Sequence, residues 1–218
     1  MYVSNVTEAD TQHARSLYSR NAARPKRSFA ARLDEYLQAR QRRAILAAAQ
    51  FAPGLQVIDV GAGQGILCRA ARQAGAQVTA VDVVPQLVEQ LKSIAHTALL
   101  GDVESLSAQQ EFDRVLFIGV LDFVVKPEAA LHKLASLVAP GGRLLLLVPT
   151  QSPGGAFYRF EKWLKGVKVN LYRPRWCVDC LAAAGLRLRQ QTRPLPSNCL
   201  MVFERPPADP AAVAAASG

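Results

Sequence analysis

Val57-Ile58-Asp59-Val60-Gly61-Ala62-Gly63-Gln64-Gly65 runs a short apolar strand directly into a glycine-rich turn, and a helical pattern over residues 65–73 follows it. Glycines permit a tight turn and close approach of backbone to a ligand, and a helix N-terminus offers N–H groups that the helix itself leaves unpaired. A ligand is therefore expected here, at the carboxyl ends of the strands. A nicotinamide fingerprint needs glycine at the sixth position counted from Gly61, where this chain has Ile66. The turn reads instead as DxGxGxG, with Asp59 two residues ahead of Gly61. A carboxylate there suits a ligand carrying a cationic amino group better than a pyrophosphate, which it would repel.

Outward from that turn the chain alternates. Apolar runs at 57–60, 78–81, 98–100, 115–118 and 143–148 are separated by helical patterns at 65–73, 85–94 and 127–138. Continuous apolar strands between helices indicate a parallel sheet covered on both faces, hence a doubly wound α/β fold. Asp82 ends the second run, placed to accept hydrogen bonds from two ribose hydroxyls, and Gly101-Asp102-Val103 follows the third. Two amphipathic helical segments, 9–23 and 29–50, precede the alternating region, with Pro25 between them and Pro53-Gly54 closing the second. After Val148 comes a Pro-, Gly- and aromatic-rich stretch, then a helix over 174–184 and a terminal hairpin of 187–192 and 200–204. The Ala/Pro-rich tail, 206–218, is expected to be disordered. Three units follow: an N-terminal helical lid (1–50), a ligand-binding domain (51–205) and the tail (206–218).

The 218 residues carry 26 Lys and Arg against 17 Asp and Glu, a net charge of +9. The surplus is uneven: +5 over residues 1–58, −2 over 59–158, +7 over 159–193 and −1 beyond. Half the residues are hydrophobic, which excludes a chain disordered throughout. The longest strongly apolar run, 144–148, falls far short of the roughly 18 residues a membrane span needs. Residues 1–10 are polar and acidic where an export signal would be basic and then apolar, so a cytoplasmic protein is expected. Of the four cysteines, Cys177 and Cys180 fall on one helical face with Leu181 and Ala184, the pattern of buried, reduced thiols. No set of ligands at metal spacing is evident, and no metal is expected.

VIDVGAGQG at 57–65, AVDVV at 80–84, GDV at 101–103, FDRVLFIGVLDFV at 112–124 and LVAPGGRLLLLVP at 137–149 together resemble the class I S-adenosylmethionine-dependent methyltransferases, of the small-molecule type. The likeness implies a Rossmann-like sheet of seven strands in the order 3-2-1-4-5-7-6, the last antiparallel, and S-adenosyl-L-methionine as cofactor. It implies that Gly61, Ala62 and Gly63 pass close to the methionine part with Asp59 near its amino group. Asp82 and Val83 would lie at the ribose, Asp102 and Val103 at the adenine, and Ile118 and Gly119 at the amino end. Residues 17–20, Leu-Tyr-Ser-Arg, are similar to a short aromatic stretch that closes over the cofactor in ubiquinone-biosynthesis and magnesium-protoporphyrin methyltransferases.

Methyl transfer from a sulfonium requires alignment and exclusion of water, and a base only where the acceptor is a hydroxyl or a protonated amine. Candidates for that base are His13, Tyr18 and Asp122, with Tyr158 and Tyr172 beside them. The basic flanks suggest a roof over an acidic or aromatic small acceptor, methylated on O or N, with Arg20, Tyr158, Tyr172, Arg173 and Arg175 as its contacts. RNA methylation is the alternative that a basic chain invites. Against it stand the lack of an RNA-binding module and the sequence Ile118-Gly119-Val120-Leu121-Asp122 where base methyltransferases carry an Asn-Pro-Pro-Tyr type motif. A non-catalytic cofactor-binding protein is a further alternative. The oligomeric expectation is a monomer or a homodimer.

Overall fold

Period-two alternation builds the sheet and decides which side chains reach which layer. In β4 (Phe112–Ile118), Val115 and Phe117 enter one core cluster and Leu116 the opposite one. In β5 (Val138–Pro149), Leu144, Leu146 and Val148 separate in the same way from Leu145 and Leu147. Burial on both faces explains the unbroken apolar runs, and each such side chain contributes roughly 1.5–3 kcal/mol relative to exposure.

The computed structural model describes residues 4–21, 29–106 and 110–207, without the side chains of 18–21 and 29–34. The tail from 208 onward, expected to be disordered, lies outside the described residues. Seven strands form one sheet in the order β3-β2-β1-β4-β5-β7-β6. β1 (Gln56–Val60), β2 (Gln77–Asp82), β3 (Thr97–Leu100), β4 and β5 run parallel. β7 (Asn198–Glu204) is antiparallel to β5 on one side and to β6 (Arg187–Thr192) on the other. Both the doubly wound class and the order implied by the resemblance are what the structure has.

α5 (Pro127–Ser136) and α7 (Pro174–Ala183) cover one face, contributing Leu131, Leu134, Cys177 and Leu181. α2 (Phe29–Ala49), α3 (Ile66–Gln73) and α4 (Pro85–Leu91) cover the other, with Ile45, Ala49, Cys68, Ala71 and Leu91. The end of α2 is therefore part of the sheet's covering layer, while α1 (Glu8–Asn21) crosses the carboxyl ends of the strands. All four cysteines are free and buried, and burial pushes their thiols upward.

Two elements differ from expectation. The helix expected over 127–138 stops at Ser136, because Val138 opens β5 opposite Phe112, with a register shift between Phe112 and Arg114. The stretch after Val148 holds a further helix, α6 (Pro153–Leu164). Ser152 caps it, its hydroxyl accepting from the Gly155 N–H at 3.1 Å, and Pro153 occupies the first turn, where its missing N–H costs nothing.

Candidate active site

The glycine turn is fastened to its neighbouring strand. Gly61 and Ala62 both donate their N–H to the Val81 carbonyl, at 2.8 and 3.0 Å, and Gly65 donates to Ala62 at 2.9 Å. The unpaired donors expected in the turn are thus largely used within the fold. Gly61, with φ +80°, passes so close to the β4 loop that a Cβ there would lie 2.4 Å from Val120 Cγ2. Gly63, at φ +55°, is different: an added Cβ would meet nothing within 4 Å, so the turn presents bare backbone to open space.

Asp82 connects that turn to the loop after β2. Its buried carboxylate accepts from the Gly63 N–H at 2.8 Å and from the Val84 N–H at 2.9 Å. Each oxygen has further acceptor capacity, since an ionised carboxylate offers about four lone-pair sites. After β3, Asp102 Oδ1 accepts from the N–H groups of Glu104 and Ser105, while Oδ2 faces Arg15 of α1 at 3.5 Å. That ion pair is exposed and contributes below about 1 kcal/mol.

Gly61, Gly63, Asp82, Val83, Asp102, Val103, Ile118 and Gly119 line one cavity of about 450 Å³, within the roughly 300–1,000 Å³ of small-molecule sites. Eight of the ten candidate cofactor residues are brought together there. Ala62 and Asp59 stand outside its wall. Alternation in β1 sends Asp59 toward α3, where the Cys68 thiol donates to Oδ2 at 3.4 Å. Burial pushes the Asp59 carboxyl up to about 7, with the nearby Asp82 charge adding to the effect.

A stability prediction follows from that shift. Folded Asp59 holds its proton up to about pH 7, whereas the unfolded group releases it near 3.8. The native chain therefore binds more protons between these values, and the Asp59 contribution to stability falls as pH rises from about 4 to 7. Asp59→Asn is expected to remove this slope and to gain up to about 3 kcal/mol over the parent at neutral pH. Parallel urea melts at pH 5 and pH 8 check it, and an identical pH dependence in both proteins would refute the assignment.

The remaining candidates are scattered. Asp122 sits in the short 3-10 turn Leu121–Phe123, its buried Oδ2 accepting from the Tyr158 hydroxyl at 2.9 Å. Burial holds it near pH 6, and its Oδ1 has no hydrogen-bond partner among the described residues. Two of the candidates thus form one pair beside the cavity, outside its wall. His13 is exposed on α1 and lies against Gly166. Tyr172, expected to touch an acceptor, is instead fully buried: it stacks on Trp176 and donates its hydroxyl to the Leu121 carbonyl at 2.7 Å. Arg173 donates to Gln151, and Arg175 pairs with Asp179 one turn along α7. Neither arginine lines the cavity, because α7 covers the sheet's flank and not its carboxyl edge. The side chains of Tyr18 and Arg20 lie outside the described residues.

Arg15 and Lys126 do line the cavity. The signal that could have found Arg15 is the helical spacing of Glu8, Thr11, Gln12 and Arg15, a polar stripe one turn apart on a helix that crosses a site. Among the described residues no group of three or more His, Cys, Asp or Glu could hold a metal ion, and no helix is long and apolar enough to cross a membrane.

The fold, with its sheet in the order 3-2-1-4-5-7-6, has counterparts among known proteins. Residues 30–191 match the family described as methyltransferase domain, so the chain belongs to that family. It is 39% identical over 109 residues to a ubiquinone biosynthesis O-methyltransferase of Xanthomonas campestris pv. campestris, covering 46% of each protein. It is 38% identical over 152 residues to one from Xanthomonas euvesicatoria pv. vesicatoria, covering 62% of this chain and 64% of that one. The chain thus spans between about half and two thirds of those relatives' length. Among solved structures it is similar to the magnesium protoporphyrin IX methyltransferase of Synechocystis PCC 6803 with bound SAH, at a TM-score of 0.68, 22% identity and coverage of 89% and 94%. The [4+2]-cyclase SpnF shares the fold at a TM-score of 0.67 and 16% identity, over 95% and 99% of the two chains.

Proposed function

We propose that this chain is an enzyme that moves a methyl group from S-adenosyl-L-methionine to an oxygen or nitrogen of a small acidic or aromatic molecule. The observation that carries this reading is the single cavity in which bare backbone at Gly63 and the carboxylates of Asp82 and Asp102 converge, in a chain of the methyltransferase-domain family. The cavity fits the cofactor in chemistry as well as volume: a carboxylate with spare lone pairs for two ribose hydroxyls, an acid and a buried valine for a base, and a glycine gap for a chain. Asp82 and Val83 would hold the ribose, Asp102 and Val103 the adenine. Gly61, Ala62, Gly63, Ile118 and Gly119 would border the amino acid end, with Asp59 acting from behind the turn. When bound, the cofactor supplies a methyl group on a sulfonium that already carries its own leaving group.

The chain's own residues then align the acceptor and exclude water, with α1 lying across the cavity and Phe123 and Val124 bordering it. Arg15 and Lys126 would attract an anionic acceptor. The curated relatives' names point to oxygen as the attacking atom. Asp122 would act through the Tyr158 hydroxyl, which makes it a positioning residue. On this reading the partner is a small molecule, not RNA, because the cavity admits one. We place the protein in the cytoplasm, where a reducing medium fits four unpaired cysteines, as a monomer or homodimer whose mass in solution decides between them.

Equilibrium titration with S-adenosylhomocysteine should show saturable one-site binding, and incubation with S-adenosylmethionine and a panel of carboxylated phenols should yield a methylated product by mass spectrometry. Failure to bind either form of the cofactor would overturn the reading. Binding without transfer to any acceptor would favour a non-catalytic role.

A further inference from the structure

α6 carries its amphipathicity inside out. Viewed down the axis, Trp163, Ala156, Phe160, Leu164 and Phe157 fall within about a third of a turn of one another. The opposite side of the helix, with Gly155, Tyr158 and Lys162, faces the protein, where Tyr158 reaches Asp122. Phe157 is 69% exposed, Phe160 53%, Trp163 63% and Leu164 64%. Four large apolar side chains thus point into solvent from three turns of one helix, and the Phe160 and Trp163 rings stack at 5.9 Å, continuous in a single patch. Scattered exposed apolar residues need no explanation, but a contiguous patch of this kind marks a docking surface.

Charge complementarity identifies the occupant. Residues 153–168 hold four basic groups against Glu161 alone, in a chain of net charge +9. Lys162 lies over the Tyr158 ring on the protein-facing side and Lys168 pairs with Asp10, so Arg159 and Lys165, the latter beside Glu161, are the cations that flank the apolar stripe. A helix with Trp, Phe and Leu on one side and Lys and Arg beside them has the composition of an element that lies in a bilayer interface, rings among the acyl chains and cations at the phosphates. A second copy of the chain is a poorer match, because a twofold contact pairs a patch with itself and would set these cations against one another.

We infer that α6 docks this protein peripherally on an anionic lipid surface, through Phe157, Phe160, Trp163 and Leu164 with Arg159 and Lys165 at the headgroups. The orientation follows from the packing. Val167 and Val169, just beyond α6, and Tyr158 within it pack with Ala14 and Leu17 of α1, the helix that crosses the cavity. Docking through α6 therefore brings the α1 side of the molecule close to the lipid. The inference stands apart from the methyl-transfer proposal, since its test needs neither cofactor nor acceptor.

Co-sedimentation of the full chain with phosphatidylcholine vesicles, with and without phosphatidylglycerol, provides that test. Binding to the anionic vesicles is expected, weakening as salt rises. The triple substitution Phe157→Ser, Phe160→Ser, Trp163→Ser should reduce that binding by at least about tenfold. Arg159→Glu with Lys165→Glu should reduce it comparably, since each basic group near an anionic surface is worth roughly fivefold. Both variants change exposed side chains, and unchanged circular dichroism and melting temperature confirm their folding. A parent that stays in the supernatant with both vesicle types would sink the inference. So would vesicle binding that the triple variant retains in full, or a parent dimer that the triple variant converts to monomer without any vesicle binding by the parent.

Discussion

Asp82→Ala is expected to weaken binding of S-adenosylhomocysteine by at least about a hundredfold, because the two charge-assisted bonds of roughly 1.5–3 kcal/mol each that the proposal gives Asp82 at the ribose would be lost. The substitution acts a second time on the empty protein. The N–H groups of Gly63 and Val84 lose their acceptor, so the turn that frames the cavity is loosened together with the loop after β2. Asp82→Asn separates the two effects. It keeps one oxygen for a backbone donor while removing the charge, so its loss in affinity should fall between those of the parent and the alanine variant. Calorimetric titration reads both. Affinity equal to the parent in Asp82→Ala would show that the ribose assignment is wrong.

Gly61→Ala should cost roughly 2–4 kcal/mol of stability, from about 1–2 kcal/mol for a side chain at φ +80° and a similar amount for overpacking. At this chain length that corresponds to a fall of about 5–15 °C in melting temperature. The added methyl would meet Val120 Cγ2 at 2.4 Å, and a valine side chain has no flexible end to move aside. Combining Gly61→Ala with Val120→Ala opens the contact but leaves the backbone strain. The double variant should therefore recover the overpacking part alone, visible as a favourable coupling in a double-mutant cycle. Additive effects of the two substitutions would contradict the close approach of the turn to the β4 loop.

Much of this was legible in the amino-acid order because burial on both faces writes strands as unbroken apolar runs. β1, β2 and β4 could be located from Val57, Val78 and Val115 and their neighbours, and the acidic strand ends Asp82 and Asp102 from their distance to the glycine turn. The order of the strands came only from the likeness to a family, since period-two patterning is blind to which strand lies beside which. α6 was missed because Pro153-Gly154-Gly155 reads as a turn, although Ala156, Phe157, Phe160, Trp163 and Leu164 recur at helical spacing. That this apolar side faces water is what the spacing alone does not tell. Tyr172 illustrates the opposite failure. A tyrosine among arginines looked like a surface contact, yet its hydroxyl has a buried carbonyl to reach and its ring a tryptophan to stack on. Arg173 and Arg175 misled because charge density along a sequence does not say which edge of the sheet it covers.

The position of β7 between β5 and β6 has a consequence for how the molecule comes into being. β1 to β5 are complete once residue 149 has been made, but β5 then exposes a full edge of backbone donors and acceptors, with Leu145 and Leu147 beside it. Only Asn198–Glu204, paired from Arg143↔Glu204 to Pro149↔Asn198, closes that edge. During synthesis at about 5–20 residues per second, the open edge persists for seconds until residue 204 has left the ribosome. An unpaired apolar strand edge is the feature by which nascent chains stick to one another. The fold thus leaves its central sheet open at β5 until the last strand to be made arrives to cover it.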